Sequence, residues 1–317
     1  MDASIPGRYG FRRRSEQRKE ALGLVWRLTG PLVHEEVCQS AAPHVREMRW
    51  AELPKGLDPS DGELDEGRAA RKRAQIASLA MHALEMTGRR ARVVEFGSGS
   101  GHLGLLVAHL RPDARVVLVE AKEYSSKVAA QRVEALGITN CHVFHGTVED
   151  FAATGQEFDL AMGLHTCGLL ADAVLSLAIR RRASACVCPC CYGQVATMKE
   201  DHKRGEGTSA LMHPCSSAFT AALGKDGLNA FPWCAKAADF TPGHGGKFDV
   251  SSEGFCTALR CMRTVDTDRL CWARENGYDG RLGLLDPPNC SPKCSVVRIS
   301  PNSHRSAMCC LCFQPVM

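Results

Sequence analysis

The stretch VVEFGSGSGHLG, residues 93–104, runs from a β-branched apolar segment into three glycines at alternate positions and then into helix-forming residues. That order of strand, turn and helix start is the context in which a glycine motif has physical meaning. Gly97, Ser98, Gly99 and Gly101 form the turn, where a missing Cβ lets the backbone bend sharply and a ligand come close. On the amino side, Arg68 to Thr87 carries Ile76, Leu79, Ala80 and Ala83 at helical spacing and runs to Gly88, a candidate helix C-cap. On the carboxyl side, helix-like segments (His102 to Leu110, Tyr124 to Leu136, Leu169 to Arg181) are interleaved with strand-like ones. The strand-like segments are Arg115 to Glu120, Cys141 to His145, Phe158 to Leu164 and Ala183 to Cys188. With Arg92 to Phe96, this predicts an α/β fold, a Rossmann-like and mostly parallel sheet with helices on both faces.

After Tyr192 the rhythm loosens, and Thr241 to Lys247 reads as loop. A helix from Ser252 to Asn276 follows, then strands Tyr278 to Leu285 and Ser295 to Ile299, which bring the sheet to seven strands. Residues 1–66 show no sustained period and read as a partly irregular appendage. Residues 67–300 form the main domain, and 301–317, with Cys309, Cys310 and Cys312, read as a disordered tail.

Composition narrows the class. No stretch approaches the roughly 18 uninterrupted apolar residues a membrane helix needs, and the first thirty residues carry arginines where a signal core would be apolar. The expectation is a cytoplasmic chain with no membrane partner. Its 17 cysteines then read as reduced thiols and not as a disulfide scaffold. The net charge is only +4, but basic residues cluster at Arg12 to Arg14, Arg68 to Arg73, Arg89 to Arg92 and Arg180 to Arg182. Such clusters suit a phosphate-bearing partner or are solvated surface.

The glycine string fits two cofactors. Gly99, Gly101 and Gly104 also satisfy GxGxxG, with Glu120 about twenty residues on, as in a dinucleotide site. Glu95 favours the other reading: a carboxylate at the strand end repels a pyrophosphate and attracts the ammonium and sulfonium of S-adenosylmethionine. Glu120 is placed to accept ribose hydroxyls. Thr147 and Val148 follow the third strand where an adenine would lie, or serve as a helix N-cap and a core residue.

Two further strings, GLHTCG at 163–168 and CVCPCCYG at 186–193, stand at carboxyl ends of strands, where open α/β sheets bind ligands. His165 and Tyr192 are candidates to flank a methyl acceptor, with Cys167, Cys190 and Cys191 at the pocket wall. A neutral His165 can take a proton from a hydroxyl or amine, and a cysteine thiolate can act as a nucleophile. Zinc is chemically allowed, but adjacent Cys190 and Cys191 lack the usual CxxC spacing, so no metal site is assigned. For any single cysteine here, burial is the leading reading.

FGSGSGHLG, GLHTCG and CPCCYG together resemble the methyltransferase domain of glutathione S-transferase C-terminal domain-containing proteins, and more distantly tRNA ribose methyltransferases that bear a CHHC zinc finger. The likeness extends through WAELPKGLDP at Trp50, RAARKRAQI at Arg68, VDTDRL at Val265 and SPKCSVV at Ser291. It implies a class I methyltransferase fold and S-adenosylmethionine bound through Glu95, Gly97, Gly99, Gly101 and Glu120. RNA is the acceptor favoured by the resemblance and the basic clusters together. The segment before Trp50 is shorter than a glutathione transferase-like domain and has no zinc-finger array, so neither glutathione chemistry nor the tRNA substrate carries over directly. Two other classes stay open: an RNA-binding scaffold retaining the fold without catalysis, and an NAD(P)-linked oxidoreductase on the same sheet.

Overall fold

A computed structural model describes residues 7–33, 38–39, 48–61, 64–196, 211–240 and 248–302. The expected loop at 241–247 and the expected tail beyond 302 lie outside the described residues.

The strands are β1 (Cys38–Gln39), β2 (Arg92–Phe96), β3 (Arg115–Glu120), β4 (Cys141–His145), β5 (Leu160–Cys167), β6 (Ser184–Cys190), β7 (Tyr278–Leu284) and β8 (Ser295–Pro301). They form one sheet in the order β1-β7-β8-β6-β5-β2-β3-β4. β2 to β6 run parallel, and β8 pairs antiparallel with both β6 and β7. The seven expected strands are all present. An eighth, the two-residue β1, adds a parallel edge beside Gly283 and Leu284.

The helices are α1 (Gly7–Thr29), α2 (Glu66–Glu85), α3 (His102–Leu110), α4 (Glu123–Leu136), α5 (Val148–Ala153), α6 (Leu169–Arg180), α7 (Ser217–Ala237) and α8 (Glu253–Glu275). Among the described residues, no helix is long and apolar enough to cross a membrane. Two buried apolar layers sandwich the sheet. Ile76 and Leu79 of α2 and Leu105 of α3 pack with Val93 and Leu118 on one face; Phe96, Val117 and Val119 meet Val174 and Leu177 of α6 on the other. Alternate residues of β2 and β3 thus go to opposite layers, as the pleat requires. Burial of both faces explains why these strands read as continuous apolar runs.

Three local expectations are corrected. α2 closes on Met86 before reaching Gly88, so the glycine is not its cap. The segment before residue 66 contains the 23-residue α1. Its basic first half hides the period, but Leu22, Val25 and Thr29 recur on one buried face that packs along α7. The region after Tyr192 contains the 21-residue α7, masked in sequence by Pro232 and by Gly224, whose φ of +54° breaks the helix into two segments. Ser216 caps it, accepting the Phe219 N–H at 3.1 Å.

A buried ionic network ties these late helices to the sheet. In α8, Arg269 donates from Nε to Asp172 of α6 at 2.6 Å and from Nη1 to Asp266 at 2.8 Å. His213 lies 3.1 Å from the same Asp172 and 2.9 Å from Asp268. Burial alone would lower the His213 pKa, yet the two aspartates hold it up to about 9, so it donates through both nitrogens as an imidazolium. The string VDTDRL is therefore the charged centre of the α6–α8 packing.

Candidate active site

The carboxyl ends of β2, β3, β4 and β5 converge on one edge of the sheet, with the strand order reversing between β2 and β5. Between them lies a cavity of about 330 Å³, lined by Gly97, Glu120, Lys122, Thr147, Val148 and Leu170 among others. After β2 the chain turns through Gly97, Gly99 and Gly101, all at positive φ. The Glu120 carboxylate, ending β3, accepts the Gly99 N–H at 2.8 Å through Oε2 and the Lys122 N–H at 2.8 Å through Oε1. One acidic side chain thus holds the glycine turn and faces the cavity.

Two observations test whether this turn fits S-adenosylmethionine. Gly99, at φ +56°, has nothing within 4 Å of where a Cβ would stand, so the turn leaves open space at its tip. Ser98 Oγ is buried with no hydrogen-bond partner among the described residues, a donor and acceptor left for a ligand. The other glycines serve packing: a Cβ at Gly97 would stand 2.9 Å from Leu170, and one at Gly101 2.8 Å from Leu118. Thr147 and Val148 are the helix N-cap and the buried residue of the second reading. Thr147 caps α5 in a reciprocal capping box with Asp150, and both residues line the cavity.

Glu95 does not occupy the position given it by its charge. Its carboxyl is buried, accepts the Gly104 N–H of α3 at 2.8 Å, and is pushed by burial up to about 8. It anchors α3 to β2 and is not among the residues that line the cavity. The strand's pleat is the reason: Glu95 points to the α2–α3 layer while Val94 and Phe96 point to the other.

His165 stands at the end of β5 on a β-bulge, where the pairing with β6 shifts register between Leu164 and Thr166. Its φ is +59°, a left-handed conformation that a non-glycine residue adopts at a cost of order 1–3 kcal/mol. Gln75 of α2 fixes the ring: its amide nitrogen donates to the Cys290 carbonyl at 2.6 Å, which turns Oε1 toward His165 Nε2, 2.9 Å away. Nε2 then carries the proton and Nδ1 is the ring's acceptor. Burial, aided by the Lys72 charge, lowers the His165 pKa to about 4, so the imidazole is neutral. The same surroundings, with Arg132, lower His102 at the start of α3 to about 3.

Lys72, Gln75, His102 and Arg132 were not singled out as functional residues in the sequence. Lys72 and Gln75 stand within RAARKRAQI three residues apart, hence on one helical face, and that face was legible as amphipathic but not as chemical. Basic clusters divide by location. Arg92 begins β2, paired with Asp159, and Arg180 to Arg182 precede β6, so both clusters lie at the amino ends of strands, opposite the site. Of the basic residues in the first half of α2, Lys72 lies close enough to lower the His165 pKa, Arg68 lies 4.0 Å from Asp65, and Arg73 is held by Asp58 at 2.7 Å.

Of the acceptor candidates, His165 faces Lys72 and Gln75, whereas Tyr192 is turned away. The Tyr192 ring is buried and its hydroxyl donates to Asp266 at 2.8 Å, so it belongs to the ionic network and not to an acceptor wall. Cys167 and Cys190 stand side by side at the ends of β5 and β6, in register, with Cys191 next to them.

Residues 70–198 match the family model of a methyltransferase domain. The chain is 32% identical over 248 residues to the glutathione S-transferase C-terminal domain-containing protein of Mus musculus, spanning 78% of this chain and 36% of that protein. It therefore covers about a third of the length of these curated relatives. It is 27% identical over 81 residues to ribosomal RNA small subunit methyltransferase G of Clostridium novyi, covering 26% of this chain and 33% of that one. Among solved structures, magnesium protoporphyrin IX methyltransferase of Synechocystis with bound SAH aligns at TM-score 0.42 and 16% identity, over 76% of this chain and 90% of that one. Residues 70–198 thus match a methyltransferase domain, and over 78% of its length the chain resembles the glutathione S-transferase C-terminal domain-containing protein.

Proposed function

We propose that the chain is a cytoplasmic RNA methyltransferase, with S-adenosylmethionine held at the Gly97–Gly101 turn and the acceptor admitted between His165 and the start of α2. The observation that carries this reading is the conformation of His165. A non-glycine residue at φ +59° on a bulge, its ring fixed by Gln75, is a strained feature at the carboxyl end of β5, the strand paired with β2 that leads into the glycine turn. Bound at the turn, S-adenosylmethionine would supply a methyl group on a sulfonium, open to displacement by a nucleophilic oxygen or nitrogen.

The chain's own residues would divide the remaining work. Glu120 and Thr147 bind and orient, as cavity-lining polar groups. His165 presents Nδ1 to an acceptor proton; its low pKa makes it an orienting acceptor more than a strong base. Lys72, whose charge acts on His165, is the cation this reading offers to a phosphate of the acceptor. The rRNA methyltransferase likeness supports an RNA acceptor, and the free thiols from Cys141 to Cys294 suit a reducing compartment.

The test is transfer of a labelled methyl group to total RNA, to a protein extract and to neither, comparing the wild type with His165→Ala and Lys72→Met. Label in RNA that falls at least about tenfold in both variants, with donor affinity retained, supports the assignment. Label confined to protein would replace the acceptor class, and donor binding without transfer to either would leave an RNA-binding scaffold.

A further inference from the structure

We propose that Cys167, Cys190 and Cys191 form a three-thiolate site for a zinc-class divalent cation, with its fourth position open to solvent. Sequence spacing argued against zinc because Cys190 and Cys191 are adjacent. The structure supplies the third ligand from another strand: β5 and β6 pair in register at Cys167 and Cys190, and their Sγ atoms lie 2.8 Å apart. All three Sγ atoms fall within 4.8 Å of one another. A tetrahedral zinc with Zn–S bonds of about 2.3 Å separates its sulfurs by about 3.8 Å, inside this spread. The 2.8 Å contact is well outside the roughly 2.05 Å of a disulfide.

Core packing does not account for these thiols, because Cys167 is exposed and Cys191 is only half-buried. The backbone is bent to gather them. The bulge at His165 resets the alternation of β5 so that Cys167 meets Cys190. Cys191 itself sits at φ +52°, a second non-glycine residue in the left-handed region. Asp239 fixes the turn that follows, accepting the Tyr192 N–H at 2.8 Å and the Gly193 N–H at 2.6 Å. Three thiolates and a divalent cation sum to one negative charge. Lys293 is at hand to balance it: its Nζ donates to the Ala238 carbonyl, lies 3.5 Å from Asp239 and interacts with Cys190 and Cys191. On binding, the three thiols release their protons to solvent as the cation enters. Three protein ligands and one open position are the pattern of a zinc site that takes a water or a substrate atom as its fourth ligand.

The experiment loads the full chain, under reducing conditions, with Zn²⁺ alone, removes loose metal on a chelating resin, and measures zinc by mass spectrometry. About one zinc per chain is expected, falling to near zero in Cys167→Ser, Cys190→Ser and Cys191→Ser, and retained in Cys256→Ser, an exposed thiol elsewhere. Circular dichroism checks folding; Cys167, being exposed, is the substitution best tolerated. Cobalt-loaded protein should show a thiolate-to-metal charge-transfer band that weakens in each of the three variants. Absence of stoichiometric metal in the folded wild type, metal that survives the three substitutions, or a Cys167–Cys190 disulfide as the resting state would overturn the site. Metal content is read without any methyl transfer, so failure here and failure of the RNA methyltransferase reading are separate results.

Discussion

Glu120 Oε2 accepts the Gly99 N–H at 2.8 Å, so the acid that ends β3 holds the tip of the turn that follows β2. The same carboxylate faces the cavity, and removing it acts twice: the turn loses its brace and the cavity loses its acceptor. Glu120→Ala is expected to weaken S-adenosylmethionine binding by about ten- to a hundred-fold, the equivalent of 1.5–3 kcal/mol for one hydrogen bond to a charged group. Calorimetry of the folded variant checks this; an unchanged Kd would make Glu120 only a brace.

Gly99 separates strain from occupancy. Any side chain at φ +56° costs about 1–2 kcal/mol of stability, but only a bulky one fills the open space at the turn. Gly99→Ala should therefore lose stability and keep part of its donor affinity, while Gly99→Val should lose the same stability and all measurable binding. Equal affinities in the two folded variants would show that the space at the turn is not the cofactor's.

Glu95 has a folded-state pKa of about 8, raised by burial from 4.5, so the native state holds this proton more tightly than the unfolded chain. Its contribution to stability is full below pH 4.5 and is lost as pH rises through 8. His213, held up to about 9, titrates with the same sign in the upper part of that window, so the comparison between two proteins is what isolates Glu95. Urea unfolding from pH 5 to 9 should show the wild type losing up to about 1.4 kcal/mol per pH unit relative to Glu95→Gln. Parallel profiles would mean that the carboxyl is ionised throughout.

Asp172 sits between Arg269 and His213 with no exposed surface. Its removal leaves two buried cations short of a partner, and Asp172→Ala should cost about 3–5 kcal/mol in urea unfolding. Asp172→Asn, which keeps an acceptor oxygen, should cost less. A loss under about 1 kcal/mol for the alanine variant would show that water replaces the carboxylate.

The sheet was legible because its strands are buried on both faces and punctuated by glycine and proline turns. α1 and α7 were not: the basic half of α1 breaks the apolar pattern, and Gly224 and Pro232 interrupt α7. In the site, the glycine turn and Glu120 follow from local order alone. Glu95 was misplaced because its role depends on which face of β2 it points to, a property of the pleat and not of its charge. Gln75 meets His165 across 90 residues of sequence, and Cys167 meets Cys190 across 23. Such pairs are made by strand order and register, which no local spacing carries.

The most direct measurement of the central claim is transfer of tritiated methyl from S-adenosylmethionine by the purified full chain into total cellular RNA, with Glu120→Ala as the donor-site control. The expected result is label that ribonuclease removes, reduced at least about tenfold in the variant at sub-saturating donor. Failure of the folded wild type to bind S-adenosylmethionine, or label that survives ribonuclease and is released by protease, would contradict it.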